Sequence, residues 1–131
     1  MENISFKELL AHKKAFELAM EIFVLTKRFP SEEKFSLISQ IRRSSRSVCS
    51  NIAEGYRKRL YRAHFISKIS DADMENSETQ VWLDFSLKCE YCDKKNYEEL
   101  TAKSSEVGSL LNYMMKNPEK YLRKNEKFTK E

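Results

Sequence analysis

Glycine and proline are nearly missing from this chain, with two of each in 131 residues. Tight turns and sheet corners draw on both, so their scarcity argues against a turn-rich β fold and for long helices joined by few connections. With glycine only at positions 55 and 108, a glycine loop that cradles phosphate cannot be written. No E-x-x-H pair and no Ser-His-Asp or Cys-His constellation is evident, so the residues lend no support to an enzyme. No run approaches the roughly 18 apolar residues of a membrane span. The N-terminus, MENISFKELL, lacks the charged-then-apolar build of a secretion signal. The three cysteines, an odd number, then read as reduced thiols, and the expectation is a soluble cytoplasmic protein with no membrane partner.

What the chain does have is charge, unevenly spread. A charged content of 34% beside a hydrophobic content of 40% suits helices with one apolar and one solvated face. The net charge is only +4, but residues 40–62 hold Arg42, Arg43, Arg46, Arg57, Lys58, Arg59 and Arg62 against Glu54 alone, a local balance of +6. The rest of the chain sums to −2. A basic block of this kind meets polyanions.

The length suits one domain, a helical bundle over 1–120 followed by a charged tail over 121–131. Ser5 and Glu8 have capping-box spacing, with Ile4 and Leu9 as the hydrophobic staple. Leu10, Ala15, Leu18, Ala19, Ile22, Leu25 and Phe29 then recur at helical spacing until Phe29-Pro30 ends the first helix. Ser31, Glu32 and Glu33 supply a cap and an acidic first turn for a second helix with Leu37, Ile41, Ser45, Val48 and Ile52 on its stripe, and Gly55 as its stop. A third helix over 61–91 carries Phe65, Ile69, Ala72, Asn76, Thr79, Leu83 and Leu87 on one face. Asn96 and Glu99 are placed to open a fourth, with Leu100, Val107, Leu110, Leu111 and Met114, ended by Asn117-Pro118. Four helices with short connections predict an all-α, antiparallel up-down four-helix bundle.

Taking Ile41 as the origin of the second helix, Ser45, Val48 and Ile52 fall within about 40° of it, while Arg42, Arg43 and Arg46 fall between about 100° and 200°. These guanidinium groups can pair with Asp71, Asp73, Glu75 or Glu78 of the third helix, or offer planar donor forks to phosphate. Arg57, Lys58, Arg59 and Arg62 extend the basic surface past the helix end. Asn51 and Glu54 are expected to form a buried hydrogen-bonded network beside the core. The third helix is also apolar opposite its core stripe, at Met74, Val81, Trp82, Phe85 and Cys89, which predicts a second buried face and hence self-association. His64, Asp71, Glu75 and Glu78 share one arc, and Cys89 and Cys92 form a lone C-x-x-C. Both patterns lack the further ligands of a metal site, so no metal or cofactor is expected.

The stretch RFPSEEKFSLISQIRRSSRSVCSNIAEGYRKRLYRAHFISKISDADMENSETQVWLDFSLKCEYC, followed by VGSLLNYMMKNPEKY, resembles the four-helix-bundle family of 23S rRNA intervening-sequence proteins. Accessory variability proteins of diversity-generating retroelements look like relatives of that family. The most specific pieces are Ser39-Gln40-Ile41-Arg42-Arg43, Asn51-Ile52-Ala53-Glu54-Gly55 and Glu78-Thr79-Gln80. The resemblance implies a left-handed bundle assembled as a ring-like homopentamer. By matching position it points to Arg42, Arg43, Arg46 and Arg57 as nucleic-acid contacts. His12 stands where many members have tryptophan, which is expected to loosen the bundle end. Cys49 stands where many have proline, which leaves the second helix uninterrupted.

The expected function is therefore non-catalytic binding of nucleic acid, RNA above all, by an oligomer that repeats the basic patch. The alternative is a scaffold that docks an acidic protein partner such as a reverse transcriptase. Binding to RNA would be largely electrostatic, since the sequence offers no evident base-stacking platform.

Overall fold

The computed structural model describes residues 4–122, and the expected tail beyond Leu122 lies outside them. Four α-helices follow one another: α1 (Leu10–Thr26), α2 (Leu37–Arg57), α3 (Arg62–Lys88) and α4 (Lys94–Lys116), with 3-10 turns at Phe6–Glu8, Ser31–Glu33 and Pro118–Lys120. No strand occurs among the described residues. Each helix packs most closely on two others, in the cyclic order α1, α2, α3, α4, and among the described residues no Cα atoms of the diagonal pairs approach within 8 Å. Neighbours run antiparallel. Gly55 lies against Ile69 while Ser44 bonds Thr79, and Lys103 pairs with Glu21 while Lys14 pairs with Glu106. The four-helix bundle follows from amphipathic segments, with short connections between α2 and α3 and between α3 and α4 that make those neighbours antiparallel.

Helix ends depart from the capping boxes read in the sequence. Ser5 accepts from Lys7 N at 3.1 Å and caps the first 3-10 turn, while Leu9 is extended and α1 starts at Leu10. As a result Leu9 and Ala11 are buried and Leu10 is exposed. The start of α4 is capped by Asp93, whose Oδ1 accepts from Asn96 N at 2.7 Å, so Asn96 lies inside the helix rather than at its cap. Ser31–Glu33 is a 3-10 turn ahead of α2. Glu33 closes α2 instead, its Oε1 accepting from Ser36 Oγ at 2.6 Å and Leu37 N at 3.3 Å. Its Oε2 accepts from Tyr91 OH at 2.8 Å, which ties the α1–α2 connection to the end of α3.

Gly55 does not stop α2, which continues to Arg57. It is buried, and a Cβ there would meet Ile69 Cδ1 at 3.0 Å and Lys68 Cβ at 3.1 Å. Glycine at 55 therefore serves close approach of α2 and α3 rather than a turn.

The core has two apolar clusters. One gathers Leu9, Val48, Ile52, Tyr56, Phe65, Ile69, Leu111 and Met114, and the side chains of Tyr121 and Leu122 pack against it. The other gathers Leu18, Ile22, Phe29, Leu37, Ile41, Leu83 and Leu100. Between them lies a buried polar layer. Ser44 and Thr79 hydroxyls are 2.8 Å apart. Asn76 Nδ2 donates to Ser104 O at 2.9 Å, Ser104 Oγ donates to Asn76 Oδ1 at 2.9 Å, and Gln80 Nε2 donates to Ser104 Oγ at 2.8 Å. Every partner is satisfied within the layer, as buried polar groups require.

Candidate nucleic-acid interface

The basic block of residues 42–62 divides by what its side chains touch. Arg59 is not at the surface. It is 6% exposed, lies 3.9 Å from the Tyr56 ring centroid and donates to Tyr56 O at 2.8 Å. Arg43 reaches across to α3 and pairs with both Glu75 and Glu78. Burial pushes Glu78 up, but the Arg43 and Trp82 hydrogen bonds outweigh it and hold the carboxyl below its ordinary range. Arg62 pairs with Glu119. Arg42 turns to α1, where its Nε donates to Thr26 Oγ1 at 2.8 Å and its Nη2 to Phe23 O at 3.4 Å. It thereby covers a last-turn carbonyl at the negative end of the α1 dipole.

Arg46, Arg57 and Lys58 remain. All are exposed, and none makes an ion pair among the described residues. Arg46 and Arg57 fall within about 20° of each other on the outward arc of α2. They stand about 16 Å apart along the helix.

The other singled-out residues also have places. Asn51 Nδ2 donates to Ser47 O at 3.0 Å, whereas Glu54 is exposed and pairs with Lys68 at 2.8 Å. The expected buried Asn51–Glu54 network is thus replaced by two separate contacts, because the outward turn of Glu54 puts it beside α3. Of the acidic arc on α3, Glu75 and Glu78 serve Arg43, Asp71 is exposed, and His64 lies against Tyr61 with ring centroids 5.8 Å apart. Cys89 is exposed and Cys92 buried. No group of three or more His, Cys, Asp or Glu among the described residues is placed to hold a metal ion. No helix among them is long and apolar enough to cross a membrane.

His12 does not leave a gap at the bundle end. Its ring packs edge-on to Phe6 at 5.1 Å and stacks on Phe16 at 6.3 Å. Burial, then the nearby Lys7 charge, lowers its pKa. Cys49 sits within an unbroken α2, and burial raises its thiol to about 11.

On α3, Met74, Val81 and Phe85 are 68%, 47% and 52% exposed. Trp82 is half-buried against the second core cluster and donates to Glu78 Oε2 at 3.0 Å. A second apolar face escaped the sequence reading: Phe16, Met20 and Val24 on α1 are 56%, 46% and 60% exposed. Their spacing of four was visible in the sequence, and the two-sided argument made for α3 applies equally to α1. The two faces lie on diagonal helices at one level of the bundle. Arg42 bonds Thr26 while nearby Ser44 bonds Thr79, and Glu21 and Asn76 meet adjacent residues of α4.

Residues 7–113 match the family model described as 23S rRNA-intervening sequence protein. The chain belongs to this family. Its fold is similar to a crystal structure of a protein of unknown function from the S23 ribosomal protein family of Bacteroides thetaiotaomicron. That likeness has 30% identity and a TM-score of 0.74, and covers 82% of this chain and 96% of the other. No curated protein matches the chain. The matched span of the family model takes in all of α1, α2 and α3 and most of α4, so the basic arc of α2 and both apolar faces lie within it.

Proposed function

We propose that this member of the family is a non-catalytic RNA-binding protein that works as a ring-like homopentamer. The observation that carries the reading is the outward arc of α2 and its C-cap, where Arg46, Arg57 and then Lys58 stand exposed without a carboxylate partner among the described residues. Five other cations, Lys14, Arg43, Arg62, Lys68 and Lys103, are paired with carboxylates. Arg46 and Arg57 share one arc of α2 with Lys58 just beyond its end, and a cluster of this kind suits a phosphate backbone. The family description, which refers to inserts in 23S rRNA, favours RNA as the polyanion.

Two distinct apolar faces on opposite sides of one bundle favour head-to-tail association over a two-fold dimer, which buries only one kind of face per contact. Faces that share a level along the bundle build in no axial step between copies, which favours a closed ring over a helical filament. The family resemblance supplies the number five. Repetition of the α2 arc around such a ring multiplies weak phosphate contacts into usable affinity.

The test is an anisotropy titration of a labelled single-stranded ribosomal RNA fragment at several salt concentrations. Wild type is compared with Arg46→Glu/Arg57→Glu/Lys58→Glu after sizing shows the same assembly. Affinity that falls steeply with salt and is lost in the variant is expected. Each phosphate contact removed flattens the log–log slope by about 0.7. Absence of wild-type binding at low salt overturns the reading and turns the search to an acidic protein partner.

A further inference from the structure

The aromatic ring of Phe23 lies among three cations. Lys27 Nζ and the Arg42 guanidinium carbon are each 4.7 Å from its centroid, and the Arg46 guanidinium carbon is 5.7 Å from it. Like charges this close repel, and a ring quadrupole compensates them only in part. None of the three pairs with a carboxylate among the described residues, although the bundle pairs five other cations. At the carbonyl end of α1, Phe23 O accepts from Arg42 Nη2 and from Thr26 Oγ1. Lys27 and Arg46 are exposed.

We propose that Lys27, Arg42 and Arg46, gathered on Phe23 where the end of α1 meets α2, form a binding site for a single phosphate group of an RNA backbone. Arg42 is the fixed member: Thr26 Oγ1 and Phe23 O hold one edge of its guanidinium, which leaves Nη1 for the anion. Lys27 and Arg46 are the adjustable members, one from each helix. Their charged heads already gather on the Phe23 ring, so closing on an oxyanion costs less side-chain freedom than it would for isolated surface lysines and arginines. The Arg57 and Lys58 charges lie about 16 Å away along α2. They serve as separate, looser contacts to the same strand.

The choice of RNA as the source of the phosphate rests on the function proposed above, and two probes separate the site from that reading. The first is inorganic pyrophosphate, titrated into the nitrogen-15-labelled protein while the Arg42 Nε–H resonance is followed. The resonance is expected to move saturably in wild type and to lose saturation in Lys27→Gln/Arg46→Gln, which keeps Arg42 and its brace intact. The second is the labelled single-stranded RNA fragment, whose salt slope should flatten by about 0.7 in the same variant, one phosphate contact being lost. A saturable pyrophosphate response without RNA binding upholds an anion site and overturns RNA as its ligand. RNA binding with an unchanged slope in Lys27→Gln/Arg46→Gln, and no saturable response to pyrophosphate, overturns the site while leaving the broader function standing. No response to either probe overturns both.

Discussion

The substitution Asn76→Asp changes one atom's chemistry at the centre of the bundle and nothing of the side chain's size. Asn76 is 2% exposed and holds Ser104 from both sides, donating to its carbonyl and accepting from its hydroxyl, each at 2.9 Å. A protonated aspartic acid in its place can repeat both bonds. An ionised one cannot: it presents a carboxylate to the Ser104 carbonyl and carries a charge into the core. Burial raises the pKa of such a carboxyl by about 2–4 units, which corresponds to roughly 3–5 kcal/mol of lost stability near neutral pH. Against a typical total of about 5–15 kcal/mol, that loss is large.

The sign follows from proton counting. Between the unfolded pKa and the raised folded one, the folded variant holds a proton that the unfolded chain has released. Its stability relative to wild type therefore falls as pH rises, by about 1.4 kcal/mol per unit, and then levels off. The assay is urea unfolding at a series of pH values and one protein concentration, followed by helical circular dichroism and by the fluorescence of the single tryptophan, Trp82. Subtracting wild type at each pH removes the acid response of Glu33, Glu78 and Glu119, whose pKa values are all lowered in the fold. A stability difference that does not change with pH, or a variant as stable as wild type at pH 7, refutes the claim that this amide is buried and fully used.

Other substitutions probe the packing, the connections and the surface. Gly55→Ala gains helix propensity but forces a methyl against Ile69 and Lys68, and a net loss of about 1 kcal/mol is expected in chemical denaturation. Tyr91 is raised from 10.0 to about 12 because its hydroxyl donates to the Glu33 carboxylate. Its contribution is complete below the unfolded value and disappears as pH rises through the folded one, so the stability gap between wild type and Tyr91→Phe should close across that window in alkaline unfolding. Val81→Glu/Phe85→Glu places charge on an exposed apolar face. Sedimentation should show a smaller assembly with unchanged helical content, and an unchanged assembly removes that face from the interface.

The fold was legible where a residue's environment follows from its own helix. Phe65, Ile69, Ala72, Asn76, Thr79 and Leu83 are all buried as the period of α3 requires, including the two polar ones. Helix boundaries were less legible, because the pattern of a capping residue followed three later by Glu recurs by chance near true helix starts. Asn96 and Glu99 fit it, yet Asp93 reaches Asn96 N first and begins α4 one turn earlier. Gly55 was misread for a different reason. A glycine near a helix end has a local meaning as a stop, and only the approach of Ile69 from another helix gives it the meaning found here.

The cations show the same division more sharply. Arg43 and Arg46 stand about 60° apart on α2, and the arc alone assigns both to the solvated side. Their fates differ because Arg43 leans toward α3, where Glu75 and Glu78 are waiting, and Arg46 toward α1, where Phe23 lies. In an antiparallel pair with a short connection, residues equidistant from that connection face each other. Arg43 and the Glu75–Glu78 turn are nearly equidistant from residues 58–61, so their pairing could have been read once the hairpin was granted. The surroundings of Arg46 could not be read this way, because the long α1–α2 connection leaves register loose and nothing in the sequence says that Arg42 will anchor on Thr26. A basic block thus announces that a charged surface exists, but neighbouring helices decide which of its members remain for a ligand.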